Sequence, residues 1–134
     1  MIFLDSSFII AFYNSRDSNH ESARRLMKRI INREFGDPMI SDYIFDEVAT
    51  SLMKYIGHKE AVKTCEAILA SVNLASVGES TFKKSFEMFK KQINTGLSFT
   101  DCTNIALMED QGLKNIATFD SDFKRFPQIN SVAD

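Results

Sequence analysis

The chain opens with Ile2-Phe3-Leu4-Asp5-Ser6-Ser7, in which a short apolar run stops at an acidic residue. An apolar run bounded by polar turn residues predicts a buried strand. The same pattern returns near the other end of the chain, where Ile116-Ala117-Thr118-Phe119 stops at Asp120. In an open parallel sheet, ligands bind beyond the carboxyl ends of the strands, so residues just after two such strands are candidates for one site. Asp5 and Asp120 occupy those positions.

The rest of the chain alternates between apolar runs and helical patterns. Further strands are predicted at Met39 and Ile40, at 72–77 and, as a last edge strand, at 129–132. Helices are predicted at 19–34, 42–55, 58–71, 79–94 and 99–112. Because strands separated by helices need crossover connections, we expect an α/β fold. Its form would be a three-layer α/β/α sandwich around a mostly parallel sheet of about four or five strands.

Length and composition limit the architecture and the ligands. The 134 residues fit a single domain spanning 1–134, with 44% hydrophobic and 25% charged residues. This composition allows one sizeable core and excludes an extended disordered chain. The net charge of −2 and the pI of about 5.7 give no overall attraction to nucleic acid. Any RNA binding would therefore use local basic patches or bound cations.

Cysteine and histidine are too few and too scattered for several kinds of chemistry. Cys65 and Cys102 have no CxxC spacing, and only two histidines, His20 and His58, accompany them. This excludes zinc-finger and dithiol redox sites and predicts two packed thiols in a reducing cytosol. The apolar start is interrupted by polar residues at 5–7 and has no basic leader, so it predicts neither a signal peptide nor a membrane span. We expect a cytoplasmic protein.

Two further acids lie on predicted helices, where each also has a structural explanation. Asp101 completes a capping-box pattern with Ser98, three residues before it. Glu47 lies beside an apolar stripe that includes Ile44 and Val48, and a solvent-exposed helix face is its ordinary place. The strand-end acids are equally well placed to cap a following helix. The four acids occur in separate segments, however, and the topology brings strand ends and helix N-termini to one edge of the sheet.

A cluster of carboxylates at one edge of a sheet predicts a metal site. Hard divalent cations such as Mg²⁺ and Mn²⁺ prefer carboxylate oxygens, and next to a phosphodiester they position water and stabilise the leaving oxygen. The cluster therefore predicts a metal-dependent nuclease. The candidate catalytic and metal-binding residues are Asp5, Glu47, Asp101 and Asp120.

Four blocks of the sequence resemble the PIN domain family, and within it the small VapC ribonucleases of toxin–antitoxin pairs. The blocks are IFLDSSFII at 2–10, SDYIFDEV at 41–48, LSFTDC at 97–102 and IATFDSDF at 116–123. The resemblance implies a PIN-like fold and endonucleolytic hydrolysis of single-stranded or structured RNA with Mg²⁺ or Mn²⁺. The implied partners are the RNA substrate, an antitoxin protein and a second copy of the chain in a homodimer.

The resemblance also assigns roles to individual residues. It implies that the four candidate acids bind the metal and carry out hydrolysis. It further implies that Asp122 is an auxiliary metal-binding acid and that Ser7 is a small polar residue that steadies the cluster. Asp46 is an alternative to its neighbour Glu47 if the helix is rotated. A non-catalytic PIN-like module that binds RNA or a protein, with the acids kept as a metal-stabilised scaffold, is the alternative function.

Surface features offer weaker expectations about binding. Two helices carry basic residues that could guide RNA, although most such charges are solvated faces: Arg24, Arg25, Lys28 and Arg29 on one helix, and Lys83, Lys84, Lys90 and Lys91 on another. Phe82, Phe86, Phe89 and Ile93 follow helical spacing, for which we expect a buried core stripe rather than a base-stacking surface. We expect the apolar residues in 43–69 to exceed what one core can bury, which favours an interface there, with a second copy of the chain or with an antitoxin.

Overall fold

The computed structural model describes residues 1–133 and follows the predicted alternation of strands and helices. The strands are β1 (Ile2–Leu4), β2 (Pro38–Ser41), β3 (Asn73–Ala75), β4 (Asn115–Ala117) and β5 (Asn130–Val132). The helices are α1 (Ser6–Tyr13), α2 (His20–Ile31), α3 (Asp42–Ile56), α4 (His58–Ser71), α5 (Glu79–Lys91) and α6 (Phe99–Gln111). A short 3₁₀ helix, Ser121–Arg125, lies between β4 and β5.

The strands form one parallel sheet in the order β3-β2-β1-β4-β5. The chain moves outward from β1 to β3 and then crosses back to β4 on the other side of β1. The order therefore reverses between β1 and β4, where Leu4 pairs with Ala117. The backbone N–H of Asp5 donates to the carbonyl of Ala117 at 3.0 Å, which continues this pairing one residue beyond the end of β1. At such a reversal an open α/β sheet leaves a crevice for ligands.

The crossovers fix the face on which each helix lies. Parallel crossovers are right-handed, so α1 to α4, which connect β1 to β3, cover one face, whereas α5 and α6 cover the other. Helix α1 packs against α2 and α3, α3 packs against α4, and α5 packs along α6. The predicted three-layer α/β/α sandwich with a parallel sheet is confirmed.

The central strand and α6 form the middle of the core. Ile2, Phe3 and Leu4 are at most 3% exposed, which explains why β1 is a continuous apolar run instead of an alternating one. On α6, residues 102–108 are all buried. Cys102 is among them and, like the half-buried Cys65, it is an unpaired thiol, as the spacing predicted. Within residues 1–133, no helix is both long enough and apolar enough to cross a bilayer.

Two helices differ from the sequence prediction for identifiable reasons. Helix α1 was not among the predicted helices, because its eight residues are nearly all apolar and leave no polar face to reveal a 3.6-residue period. Helix α5 ends at Lys91 rather than at 94, because the Gln92 amide turns to the following loop. Its Nε2 donates to the Leu97 carbonyl at 2.8 Å, and its Oε1 accepts from the Leu97 N–H at 2.9 Å.

The start of α3 offers a test of how the fold is anchored. The buried Ser41 Oγ accepts the backbone N–H of Ile44 at 3.0 Å. We expect Ser41→Ala to lower the free energy of unfolding by about 1–2 kcal/mol in urea denaturation, because it removes this cap and leaves an amide without a partner. Asn19→Ala is the matched control, since Asn19 is the N-cap of α2 but makes no side-chain cap bond. We expect Asn19→Ala to change the free energy of unfolding by less than about 0.5 kcal/mol. If Ser41→Ala also changes it by less than this amount, Ser41 does not have the proposed capping role.

Candidate active site

Asp5 is the innermost acid and lies where the strand order reverses. It is 3% exposed, directly after β1 and at the N-cap position of α1. Its side chain makes no cap bond to α1, so the capping role that its sequence position suggested is wrong. Burial raises the pKa of Asp5, the nearby charge of Glu47 raises it further, and hydrogen bonds from Thr118 and Ser7 oppose both effects.

Three side chains donate hydrogen bonds to the Asp5 carboxylate. Ser7 Oγ donates to Oδ2 at 2.8 Å, and Thr118 Oγ1 donates to the same oxygen at 2.7 Å. Asn104 Nδ2, on α6, donates to Oδ1 at 3.3 Å. The two hydroxyls in turn accept backbone N–H groups from the end of β4: Ser7 from Phe119 and Thr118 from Asp120, both at 3.0 Å. This network compensates a buried carboxylate for part of its lost hydration.

Glu47 reaches the same crevice from α3. Its Oε2 accepts a hydrogen bond from Ser6 Oγ at 2.7 Å, and its charge contributes to the raised pKa of Asp5. Asp46, one residue earlier on the helix, is exposed and lines a shallow surface pocket with Asp42 and Thr100. The structure therefore places Glu47, and not Asp46, beside the innermost acid.

Asp101 approaches from the first turn of α6. It forms the predicted capping box: the Asp101 N–H donates to Ser98 Oγ at 3.1 Å, and the Ser98 N–H donates to Asp101 Oδ2 at 3.0 Å. Partial burial raises the pKa of Asp101 to about 6, with the charges of Asp5 and Asp120 adding to the effect and the Ser98 hydrogen bonds opposing it. The Asp101 carboxylate thus caps α6, and its pKa is also raised by the charges of two acids from other segments.

Asp120 and Asp122 follow β4. Asp120 Oδ1 accepts the N–H of Asp122 at 2.9 Å, so Asp120 caps the 3₁₀ helix while its charge acts on Asp101. Asp122 Oδ1 lies 3.7 Å from Nε of Arg125, whose Nη1 donates to the Asn94 carbonyl at 2.9 Å. Arg125 therefore links the outer acid to the loop that precedes α6.

The donor chemistry of this crevice fits a hard divalent cation. Asp5, Glu47, Asp101 and Asp120 interact electrostatically across one crevice, and carboxylate oxygens are the donors that Mg²⁺ and Mn²⁺ prefer. The buried Asn104 Oδ1, which belongs to the residue that contacts Asp5, has no hydrogen-bond partner. As they stand, no three acidic, histidine or cysteine side chains in the described part of the chain close around one ion. An ion would therefore have to draw the carboxylates inward against their mutual repulsion.

Sequence reasoning missed three of the polar residues that shape this crevice. Ser6 holds Glu47, while Thr118 and Asn104 hold Asp5. Thr118 interrupts the apolar run before Asp120, and Asn104 lies in the fully buried middle of α6. A polar residue in a buried apolar run needs a hydrogen-bond partner, which was the available signal for both. Ser6 carried no comparable signal, because a serine in a helix's first turn is ordinary.

The surface expectations had mixed outcomes. The core-stripe prediction for α5 is wrong: Phe82, Phe86 and Phe89 are 44%, 47% and 39% exposed, and Ile93 is 79% exposed. Many of the candidate RNA-guiding cations pair with acids of the same surface. The pairs are Arg24–Glu21, Arg29–Glu34, Lys83–Glu79, Lys84–Glu109 and Lys90–Glu87. On α2, Arg24 and Arg29 are therefore each paired with an acid of the same surface.

Comparison with known proteins identifies the family. The sequence matches the PIN domain over residues 2–129. The chain belongs to the PIN domain family. It is 31% identical over 127 residues to the 23S rRNA-specific endonuclease VapC20 of Mycobacterium tuberculosis, with 92% of each chain covered. The crystal structure of M. tuberculosis VapC20 superimposes with a TM-score of 0.88 at 27% identity over the full length of both chains. The prediction of a VapC-like toxin ribonuclease is confirmed.

More distant structures share the fold. DNA-bound VapBC from Salmonella typhimurium aligns with a TM-score of 0.74 at 13% identity, covering 98% of this chain and 96% of that one. A toxin–antitoxin complex from Klebsiella pneumoniae aligns with a TM-score of 0.72 at 16% identity. At such identities the likeness shows the PIN fold alone. PIN nucleases depend on divalent metal, which agrees with the donor chemistry of the crevice.

The raised pKa of Asp101 predicts a pH-dependent stability. An acid whose pKa is raised from 3.8 to about 6 in the folded state destabilises the fold when it is ionised. In EDTA above pH 6, we expect Asp101→Asn to raise the Tm by about 2–5 °C. The difference should shrink as the pH falls from 6 toward 3.8, since wild-type Asp101 then becomes protonated in both states.

Differential scanning calorimetry between pH 4 and 8 measures this effect. Asp46→Asn is the control, because Asp46 is an exposed carboxylate on α3, and we expect it to shift the Tm by less than about 1 °C. A lower Tm for Asp101→Asn at pH 7.5, or a gain that stays constant down to pH 4, would show that the ionised carboxylate does not destabilise the crevice.

The hydroxyl of Thr118 should matter for metal binding. Thr118→Val keeps the side-chain shape but removes the 2.7 Å hydrogen bond to Asp5. Residues that orient a metal ligand typically contribute 10–100-fold in affinity, so we expect Thr118→Val to weaken Mn²⁺ binding by about that factor in isothermal titration calorimetry. Thr118→Ser retains the hydroxyl and should bind Mn²⁺ like the wild type. Unchanged affinity in Thr118→Val would rule out this orienting role.

Proposed function

We propose that the crevice between β1 and β4 is the metal-dependent catalytic centre of this VapC-like ribonuclease. Asp5, Glu47, Asp101 and Asp120 would hold Mg²⁺ or Mn²⁺, and Asp122 would flank them as an auxiliary acid. One arrangement carries the proposal: Asp5 and Asp120 follow β1 and β4, between which the strand order reverses, and Glu47 and Asp101 lie near enough to Asp5 for the charges to influence one another. A crevice at that point is where an open α/β sheet binds its ligand.

The substrate we propose is 23S rRNA. The relative that is 31% identical over 92% of both chains is a 23S rRNA-specific endonuclease, and the structure with a TM-score of 0.88 is a sarcin–ricin-loop-cleaving toxin. The structural similarity covers the full length of both chains and therefore the helices around the crevice. We therefore infer that this chain cleaves the same class of substrate, a structured rRNA hairpin loop.

The surroundings of each acid indicate the role that we propose for it. A bound divalent cation supplies polarisation of the attacking water and neutralises charge at the phosphate. Asp5, held by three hydrogen bonds, provides a fixed inner carboxylate. Asp101, held by its capping box with Ser98, would add a carboxylate from the first turn of α6. Glu47, which accepts a hydrogen bond from Ser6, would add a further carboxylate from α3.

An antitoxin is the protein partner that we propose, and the cytoplasm, where ribosomes are found, is the proposed location. Several structures of the same fold are toxin–antitoxin complexes. An apolar groove of about 540 Å³ lies between α1, α2 and α4 and is lined in part by Phe12, Met27 and Ile68. The groove is the surface that we assign to the antitoxin.

The segment 43–69 was expected to contain more apolar residues than the core can bury. Some of them are exposed, among them Met53 and Tyr55, whereas Ile44 is buried.

Cleavage of a defined RNA tests the proposed function. The substrate is a sarcin–ricin hairpin of 23S rRNA, beside intact ribosomes, incubated with purified protein and Mn²⁺ or Mg²⁺. We expect cleavage at one position, its loss in EDTA, and a loss of at least about 100-fold in Asp101→Asn and Asp5→Asn. Asp46→Asn is the matched control and should cleave like the wild type, because its carboxylate faces solvent beside Glu47.

The outcomes separate catalysis from binding alone. Cleavage that survives both EDTA and Asp101→Asn would place the chemistry outside this crevice. A folded wild-type protein that binds Mn²⁺ and the hairpin but never cleaves it would favour the non-catalytic PIN-like module. Cleavage of unrelated RNA with equal efficiency would leave the ribonuclease intact and contradict the rRNA assignment.

A further inference from the structure

Asn104 is a polar residue in the fully buried middle of α6. It is 0% exposed, and the residues around it on the helix, from Cys102 to Met108, are buried with it. Its Nδ2 donates to Asp5 Oδ1 at 3.3 Å, but its own Oδ1 has no hydrogen-bond partner among residues 1–133. A buried amide with an unpaired oxygen costs free energy, and an apolar side chain would fill the same place without that cost. This cost indicates that Asn104 serves Asp5 rather than the packing of the core.

The side-chain hydrogen bonds to Asp5 differ between its two carboxylate oxygens. Ser7 Oγ and Thr118 Oγ1 both donate to Oδ2, at 2.8 and 2.7 Å. Oδ1 accepts from Asn104 Nδ2 at the longer distance of 3.3 Å. Each carboxylate oxygen has about two lone-pair sites, so the two short hydrogen bonds occupy Oδ2. Oδ1 is therefore the oxygen that a cation can approach at lower cost, and Asn104 is the side chain that holds it.

Asn104 also fixes the position of Asp5 relative to a second acid. Asp101 lies three residues before Asn104 on α6, and residues at this spacing share one side of a helix. Asp5 lies near enough to Asp101 for its charge to raise the pKa of that carboxyl. The hydrogen bond from Asn104 therefore ties the acid that follows β1 to the helix that carries Asp101, and it helps to set the spacing of the two carboxylates.

We propose that Asn104 is a positioning residue that makes Asp5 meet a divalent cation through Oδ1 alone, which favours Mg²⁺ and Mn²⁺ over Ca²⁺. The inference rests on the proposed function, because it concerns the cation of the proposed catalytic centre. Mg²⁺ requires near-octahedral coordination at short distances, and Mn²⁺ takes the same octahedral oxygen donors. Ca²⁺ takes more oxygens in flexible arrangements, often both oxygens of one carboxylate. A fixed carboxylate with one oxygen already occupied therefore suits the smaller ions.

The test compares the affinities for Mn²⁺ and Ca²⁺ by isothermal titration calorimetry without RNA. Asn104→Leu keeps the size of the side chain but removes the donor to Asp5. We expect it to weaken Mn²⁺ binding by about 10–100-fold and Ca²⁺ binding by less than about threefold, because Ca²⁺ tolerates a less fixed carboxylate. Thr103→Val is the matched control: Thr103 is also 0% exposed on α6, but its Oγ1 donates to the Thr100 backbone carbonyl at 2.6 Å. It should leave the ratio of the two affinities unchanged.

A second variant tests the same inference at the other oxygen of Asp5. Ser7→Ala removes one of the two side-chain donors to Oδ2 and leaves Asn104 in place. Both oxygens then become available to an ion, and Ca²⁺ gains more from a bidentate carboxylate than Mn²⁺ does. We expect the ratio of Mn²⁺ affinity to Ca²⁺ affinity to fall by at least about threefold in Ser7→Ala. This variant keeps the test decisive if Asn104→Leu does not fold.

The outcomes separate this inference from the proposed function. Suppose that the wild type binds Mn²⁺ and cleaves the sarcin–ricin hairpin. A wild-type ratio of Mn²⁺ to Ca²⁺ affinity in folded Asn104→Leu or in Ser7→Ala, or an equal fall of the ratio in Thr103→Val, would then overturn this inference alone. Wild-type protein that binds Ca²⁺ as tightly as Mn²⁺ would also overturn it. Wild-type protein that neither binds Mn²⁺ nor cleaves the hairpin would overturn the proposed function as well.

Discussion

The burial of one charged group, the Asp5 carboxylate, governs the architecture of the acidic crevice. Its compensation comes from the Asn104 amide and from two hydroxyls, those of Ser7 and Thr118, each of which also accepts a backbone N–H from the residues that follow β4. The acid is thereby tied to the neighbouring strand, and the pairing of β1 with β4 continues into side-chain contacts. Weakening this network would leave a buried carboxylate without donors, which is among the costlier defects in a protein.

The other acids make the crevice electrostatically unfavourable without a cation. Asp101 is held in a capping box and still has a pKa raised to about 6, because burial and the charges of Asp5 and Asp120 outweigh its hydrogen bonds. Like charges within one crevice repel, and the rest of the fold has to tolerate this repulsion. We propose that a divalent ion held among these carboxylates would relieve this repulsion and be stabilised by their negative charge.

The sequence predicted the parts of the protein that depend on local patterns. Apolar runs located the strands, and the separation of strands by helices predicted the parallel sheet, with Asp5 and Asp120 just beyond two of its strands. Helix α1 escaped prediction because it is apolar on nearly every side. The exposure of Phe82 and its neighbours escaped as well, since periodicity shows that a helix has an apolar face but not what covers it. Thr118 and Asn104 depend on long-range contacts that spacing does not encode.

Anomalous diffraction from crystals soaked in Mn²⁺ tests the central claim most directly, because it locates the ion without relying on activity. We expect an anomalous peak between Asp5 and Asp101, within coordinating distance of an oxygen of each carboxylate and within reach of Asp120 or Glu47. We also expect the peak to disappear in Asp101→Asn or Asp5→Asn crystals that keep the fold. A Mn²⁺ peak elsewhere, with these carboxylates uncoordinated in protein that cleaves RNA, would contradict the assignment of the metal to this crevice.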